Sequence, residues 1–260
     1  MKLTGNTILI TGGTSGIGLE LALQLLHMGN HVIVTGREQD KIDALAKEHP
    51  ALVTMKSDVS EPSAISQLYE RITTDYPALN ILVNNAGIMR KINLQDRGVD
   101  LDDITREVDV NLSGSIRMTK QFLPHLRTQP SAAIINVSSG LAFVPFPISP
   151  VYSATKAGVH AFTKALRVQM KNTKIRVFEL APPSTQTPLQ NAFSAKDVKA
   201  SANMDVKTLV QKTLHGLERN HLEIRPGSSN ILHLLSRVAP KLALRLTSGS
   251  INDMLAQTQI

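Results

Sequence analysis

Cysteine is absent from this sequence, and so is tryptophan. The first absence removes disulfides, thiolate metal sites, iron–sulfur clusters and cysteine nucleophiles together, and it accords with a reducing, cytoplasmic compartment. The second, with aromatic residues at only 3%, leaves no platform of rings for stacking single-stranded bases, so no nucleic-acid partner is expected. The eight histidines include no HExxH or other zinc spacing. His27 and His31 are four apart, but Gly29-Asn30 breaks the helix between them, and no metal site is expected. Long apolar runs are lacking too. The longest uncharged stretch, Thr128–Thr155, contains Pro130, Pro145, Pro147 and Pro150, which excludes a single membrane-spanning helix. Met1-Lys2-Leu3-Thr4-Gly5 runs straight into an apolar strand, with no apolar leader core or cleavage site. The chain reads as soluble and cytoplasmic.

What is present is a chain of 260 residues, 42% hydrophobic and 19% charged, enough for one sizeable core. Its net charge of +7 is uneven. Residues 1–150 carry 13 basic and 15 acidic side chains, and residues 151–260 carry 15 and 6. Continuous apolar runs predict strands at Thr7–Thr11, His31–Thr35, Leu52–Ser57, Asn80–Asn84, Ala132–Val137, Lys174–Leu180 and His221–Arg225. Helical patterns lie between them, near 16–28, 38–48, 61–76, 101–127, 151–171 and 205–220. Gly29-Asn30 ends the first, and Ser60 with Pro62 opens the third. This alternation predicts an α/β fold: a Rossmann-type, doubly wound parallel sheet of about seven strands with helices on both faces. No Gly-, Pro- or Ser-rich break divides it. Residues 1–225 are expected to form one domain, and 226–260 a helical extension packed on it or on a partner.

In such a sheet ligands bind beyond the carboxyl ends of the strands. After the first strand comes Thr11-Gly12-Gly13-Thr14-Ser15-Gly16-Ile17-Gly18, then a helix. Alone it reads equally as a plain glycine turn. Between a strand and a helix in the first βαβ unit, it predicts a dinucleotide whose pyrophosphate meets backbone N–H groups at the helix start. The second strand ends Val34-Thr35-Gly36-Arg37, where NAD-binding sheets usually carry an acid for the ribose 2′-hydroxyl. Arg37 can pair with a 2′-phosphate, so NADP(H) is favoured and NAD(H) stays open; the other reading of Arg37 is a solvated surface residue. Tyr152 and Lys156 lie four apart, on one helix face. A phenol is a poor base at neutral pH, and an ammonium beside it is expected to lower its pKa and make it a workable proton carrier. Ser139, thirteen residues before Tyr152, follows the fifth strand and could hold a substrate oxygen.

With these motifs the sequence resembles the short-chain dehydrogenase/reductase family, from about residue 5 to 187. The resemblance rests on TGGTSGIG at 11–18, Asp58-Val59, Asn84-Asn85-Ala86-Gly87, Asn111 in Val-Asn-Leu, Ser138-Ser139, Tyr152-x-x-x-Lys156, and Pro182-Pro183-Ser184-Thr185-Gln186-Thr187, in that order. It implies that Tyr152 is the general acid/base, that Lys156 lowers its pKa and holds the nicotinamide ribose, and that Ser139 orients the carbonyl. Asn111 would position a water that relays protons from Lys156. Gly12, Thr14, Ser15, Ile17 and Gly18 would cradle the pyrophosphate. Asp58 would accept the adenine amino group beside Val59, and Asn85, Ala86 and Gly87 would line the adenosine ribose. Asn84 would tie neighbouring strands. Pro182, Thr185 and Thr187 would face the nicotinamide and phosphate. One departure stands out: the family usually has Pro-Gly after the sixth strand, and here Pro183 replaces the glycine, which puts the Thr185 contact in question.

The expected function is an NADP(H)-dependent oxidoreductase interconverting an alcohol and a ketone or aldehyde. The alternative is a catalytically silent NADP(H)-binding regulatory or peripheral membrane protein on the same fold. Leu141 to Ile148, with Phe143 and Phe146, and Leu189 and Phe193 in an expected lid, suggest a neutral, partly hydrophobic small-molecule substrate; ordinary packing is the other reading. The resemblance further implies a homodimer or homotetramer formed by the helices near 101–127 and 151–171, with Ile116, Phe122, Ala157, Ala161, Phe162 and Ala165 available for pairing. In the extension, Asn230–Thr247 is rich in leucine, carries Arg237, Lys241 and Arg245 every four residues, and contains no acid. Pro240 should divide it into two short helices. Either its leucines pack on the parent domain or a neighbouring subunit, with the cations merely solvated, or residues 230–247 lie weakly at an anionic membrane surface.

Overall fold

A computed structural model describes residues 1–194, 197, 203–249 and 251–256. The chain runs β1 (Thr7–Thr11), α1 (Gly16–His27), β2 (His31–Gly36), α2 (Gln39–Glu48), β3 (Val53–Lys56), α3 (Pro62–Asp75) and β4 (Leu79–Asn84). There follow α4 (Leu101–Ile104), α5 (Gly114–Thr128), β5 (Ala132–Val137), α6 (Pro150–Gln169), β6 (Ile175–Leu180), α7 (Val206–Glu218) and β7 (Glu223–Ile224). All seven strands are parallel, in the order β3-β2-β1-β4-β5-β6-β7. The order reverses between β1 and β4, which opens a crevice at their carboxyl ends.

The sheet is buried on both faces because successive strand residues point to opposite sides. Ile8 and Ile10 join Leu21, Leu25, Leu209 and Leu217 in one core layer. Leu9, between them, joins Leu68, Ile72, Phe122 and Leu166 in the other. So α1 and α7 cover one face, and α3, α5 and α6 the other. That is why the strands read as unbroken apolar runs.

The expected helix over 101–127 is corrected. It is three pieces: α4, a wide π-type segment at Val108–Ser113, and α5. The cause is Asn111. Its amide donates to the Ile88 carbonyl (2.9 Å) and its carbonyl accepts the Ile88 N–H (2.8 Å), while Ser115 Oγ bonds back to the Asn111 carbonyl (2.9 Å). These bonds displace the regular helical ladder.

The extension forms α8 (Ser228–Val238), α9 (Pro240–Thr247) and α10 (Ile251–Ala256). Pro240 opens α9, as its missing N–H favours. Ser229, Ala243 and Met254 are buried, so the inner faces pack on the domain. No described helix is long and apolar enough to cross a membrane.

Candidate active site

The carboxyl edge of the sheet holds two adjoining cavities. A groove of about 280 Å³ follows the glycine loop and is lined by Gly12, Thr14, Ser15, Ile17, Arg37 and Val59, with Asn85, Ala86, Gly87 and Thr187 opposite. A chamber of about 580 Å³ is lined by Ser139, Tyr152, Lys156, Pro182, Pro183 and Thr185 at its base. Ile17, Asn85, Gly87, Thr187 and Leu189 line both, so the two spaces are continuous.

The groove suits an anionic dinucleotide on its own geometry. Gly12 has φ +64°, and a Cβ there would lie 2.7 Å from Ala86 Cα; only glycine lets β1 and β4 close this tightly. Ser15, before α1, makes no side-chain cap, so the first amides of α1 are left for a ligand. Two side chains hold the loop. Thr11 Oγ1 accepts the N–H groups of Asn85 (3.0 Å) and Ala86 (3.1 Å), and Asn85 Nδ2 donates to the carbonyls of Thr11 (3.0 Å) and Gly12 (2.9 Å). The amide of Asn85 is thereby spent on shaping the loop. Asn84 donates to Asn136 Oδ1 at 2.8 Å, tying β4 to β5.

Beyond β2, Arg37 lies 4.0 Å from Asp58 and is partly exposed. Lys41, which sequence reasoning missed, also lines the groove and pairs with Glu38 at 2.7 Å. Gly36 has a packing reason as well: a Cβ there would lie 2.6 Å from Thr14 Cγ2. Ser57 and Val59 line the groove, whereas Asp58 between them is not among its walls. Its Oδ1 accepts the N–H and hydroxyl of Ser60 and closes the turn after β3.

At the chamber base, α6 presents Tyr152 and Lys156 together, both buried. Lys156 Nζ donates to the Val137 carbonyl at 2.8 Å and sits 5.6 Å from the Tyr152 ring centre. Burial lowers its pKa to about 8. Burial pushes Tyr152 up to about 12; the Ser139 hydrogen bond opposes this and the Glu107 carboxylate adds to it. The lowering of the phenol expected from the ammonium is not seen in the protein alone, where desolvation is the largest influence. Ser139 Oγ also accepts the Leu141 N–H at 3.1 Å. Asn111, completely buried, donates to Thr155 Oγ1 at 3.1 Å as well as to Ile88, so its amide is committed to protein partners. Thr185 Oγ1 donates to the Pro183 carbonyl at 2.9 Å, which turns that hydroxyl to its own loop.

The chamber walls are mostly apolar, with Ser184, Gln190 and the buried Asp197 as polar members. Leu141, Phe146, Leu189 and Phe193 all line it, and the Phe146 and Phe193 rings lie 6.0 Å apart. Phe143 does not line it; its ring packs edge-on between His160 (5.1 Å) and His233 (4.7 Å). Leu232 of α8 and Leu246 of α9 complete the wall, a role that sequence reasoning did not give the extension.

Two buried acids were also missed. Glu107 accepts the Arg90 N–H at 2.8 Å, and burial raises its pKa. No signal marked it, since Asp-Ile-Thr-Arg-Glu reads as a solvated helix face. Glu179 accepts bonds from Ser138 and lies 2.8 Å from His160 Nδ1. Its signal was an acid in the otherwise apolar second half of the strand Ile-Arg-Val-Phe-Glu-Leu, where Arg176 is exposed and Glu179 is not.

Comparison with known proteins agrees with this architecture. The profile of the family described as short chain dehydrogenase matches residues 6–198. An uncharacterized oxidoreductase, DltE of Bacillus subtilis, is 41% identical over 224 residues, covering 86% of this chain and 89% of that protein. A short-chain dehydrogenase from Burkholderia cenocepacia in complex with NADP superposes with a TM-score of 0.81 at 25% identity, over 95% of this chain and 99% of its own. A 3-ketoacyl-(acyl-carrier-protein) reductase from Brucella melitensis complexed with NADH gives 0.76 at 30% identity, over 83% and 91%.

Proposed function

The chain belongs to the short-chain dehydrogenase family of oxidoreductases, and from that premise we propose that it is an NADP(H)-dependent enzyme interconverting an alcohol and a ketone or aldehyde. The observation that carries this reading is the junction of the two cavities. There a hydroxyl pair, Ser139 and Tyr152, and the buried Lys156 face a space that opens on one side to the glycine-loop groove and on the other to an apolar chamber.

A dinucleotide held in the glycine-loop groove would supply the hydride for reduction and accept it in oxidation. In reduction Tyr152 Oη gives its proton to the substrate oxygen, which Ser139 holds, and in oxidation it takes that proton back. Lys156 is assigned to the nicotinamide ribose, and Asn111 to keeping α6 and the Ile88 segment in register beside it. Gly12, Thr14, Ser15, Ile17 and Gly18 are assigned to the pyrophosphate, Val59 with Asn85, Ala86 and Gly87 to the adenosine, and Pro182, Thr185 and Thr187 to the nicotinamide end. Asp58 is retained as a cofactor residue through its contact with Arg37.

One of the two structural relatives holds NADP and the other NADH, so the choice rests on this chain's own residues. Arg37 just after β2 and Lys41 in the first turn of α2 both line the groove and favour the 2′-phosphate, and Glu38, the acid nearest in sequence, is engaged by Lys41. The chamber favours a neutral, partly hydrophobic substrate. Residues 1–225 form the catalytic and cofactor-binding unit on this reading, 226–260 wall the chamber, and the enzyme works as a cytoplasmic homo-oligomer. A panel of aldehydes, ketones and alcohols, followed by nicotinamide absorbance with each dinucleotide in turn, tests it. Turnover of at least one carbonyl with NADPH is expected, and none with either dinucleotide across the panel would contradict it.

A further inference from the structure

Six of the eleven large apolar side chains found exposed among the described residues fall within α8 and α9: Ile231, Leu234, Val238, Leu242, Leu244 and Leu246. They are not scattered. Ile231, Leu234 and Val238 recur at helical spacing and form one stripe, as do Leu242 and Leu246 on the next helix. A cation stands immediately before the last three members: Arg237 before Val238, Lys241 before Leu242, Arg245 before Leu246. One residue is about 100° around a helix, so each stripe is edged by positive charge. None of the three cations makes an ion pair among the described residues, and the sequence has no acid between Glu223 and Asp253.

The opposite faces are already used. Ser229 and Ala243 are buried, a Cβ on Gly140 would lie 2.8 Å from Ser229 Oγ, and Leu232 faces the chamber. The two helices are thus anchored from inside, and their outer face has no partner among the described residues.

We infer that the outer face of α8 and α9 docks on an anionic lipid bilayer. A bilayer interface accepts leucine stripes at the acyl boundary, while arginine and lysine reach outward to the headgroup phosphates. A second copy of the chain is a poor occupant, because two-fold pairing of this face would bring the Arg237, Lys241 and Arg245 of one copy near the same three cations of the other, with no acid on either α8 or α9 to offset them. The docking face also meets the chamber. Leu246 is 60% exposed and lines the chamber, with Thr247 and Gly249 beside it. A docked molecule therefore opens its chamber towards lipid, which suits a substrate that partitions into the bilayer. This last consequence rests on the oxidoreductase reading; the docking does not.

The test is flotation of the full-length protein with vesicles of phosphatidylglycerol and phosphatidylcholine, and with phosphatidylcholine alone, at low and high ionic strength. Binding to the anionic vesicles at low ionic strength is expected, with loss at high ionic strength. Arg237→Gln, Lys241→Gln and Arg245→Gln combined should weaken partitioning on the order of a hundredfold. Leu234→Ser, Val238→Ser and Leu242→Ser combined should abolish it, and because all six positions are exposed, both variants should unfold at the wild-type temperature. Absence of wild-type protein from the anionic vesicles overturns the inference. So does equal flotation of wild type and both variants, or light scattering in which these substitutions dissociate an oligomer without lipid. Flotation needs neither dinucleotide nor turnover, so its failure leaves the proposed activity standing.

Discussion

Lys156 does not point its charge at Tyr152: its Nζ donates to the Val137 carbonyl at 2.8 Å while standing 5.6 Å from the tyrosine ring centre. The ammonium is held by a carbonyl dipole at the end of β5, and its side chain is buried. Burial shifts both groups towards their neutral forms, Lys156 to a pKa of about 8 and Tyr152 to one of about 12. In the protein alone the phenol is a proton donor in waiting.

The pH dependence of turnover follows from that state. Reduction needs the protonated phenol, which is present at every pH below about 12, so its rate should stay flat from neutral to mildly alkaline pH. Oxidation needs the phenolate and should rise with pH over the same range. Initial rates in both directions at saturating dinucleotide check this; a reduction rate that falls tenfold by about pH 8 would count against Tyr152 as donor.

Stability carries the same signature with a definite sign. Lys156 titrates near 8 in the folded protein and near 10.4 when unfolded. Between those values the unfolded chain holds more protons, so stability rises with pH. Tyr152 works the other way, but only above about pH 10. Urea denaturation of the dinucleotide-free protein should show a gain of about 2 kcal/mol from pH 8 to 9.5, absent in Lys156→Met.

For cofactor choice, Arg37→Gln should weaken NADPH roughly ten- to a hundredfold, the worth of one charge-assisted bond, and leave NADH within about twofold. Gly36→Asp is not the clean converse. Its Cβ would meet Thr14 Cγ2 at 2.6 Å, so both dinucleotides should weaken. Fluorescence titration decides the point, and tighter wild-type binding of NADH than NADPH would overturn the role of Arg37.

How far the sequence carried these assignments differs from element to element. β1, β5 and the Gly12 loop were legible because β-branched runs and glycines act locally, and each strand needs only to be buried on both faces. The long helix expected over 101–127 failed at Asn111, where a tertiary bond to Ile88 outcompetes the helical ladder, and periodicity cannot register that. Phe143 was apolar in the right segment yet turned towards His160 and His233, since only the three-dimensional neighbourhood selects between wall and core. Asp58 and Asn85 were identified as site residues, but their work as turn closer and loop tie depends on partners, Ser60 and Thr11, that no spacing rule connects to them. Glu107 was invisible for the same reason.

Oligomer formation has a partial footing in α5 and α6. Ile116, Ala157, Ala161 and Ala165 are exposed and free to pair, whereas Phe122 is spent inside its own core, edge-on to Tyr69. Light scattering at micromolar concentration should give at least twice the single-chain mass of 28.3 kDa, and Ala161→Arg should reduce it to one chain. Single-chain mass for the wild type would dismiss the pairing.

The central claim is that the Tyr152 hydroxyl is the proton conduit of a hydride transfer, and Tyr152→Phe reads it out directly. Single-turnover stopped-flow of NADPH oxidation, with a carbonyl substrate from the panel and NADPH affinity measured in parallel, separates chemistry from binding. The account predicts a loss of at least a thousandfold in the hydride-transfer step, in the range of a positioned general acid, with NADPH affinity within about threefold of wild type. Hydride transfer within tenfold of wild type in that variant would contradict it.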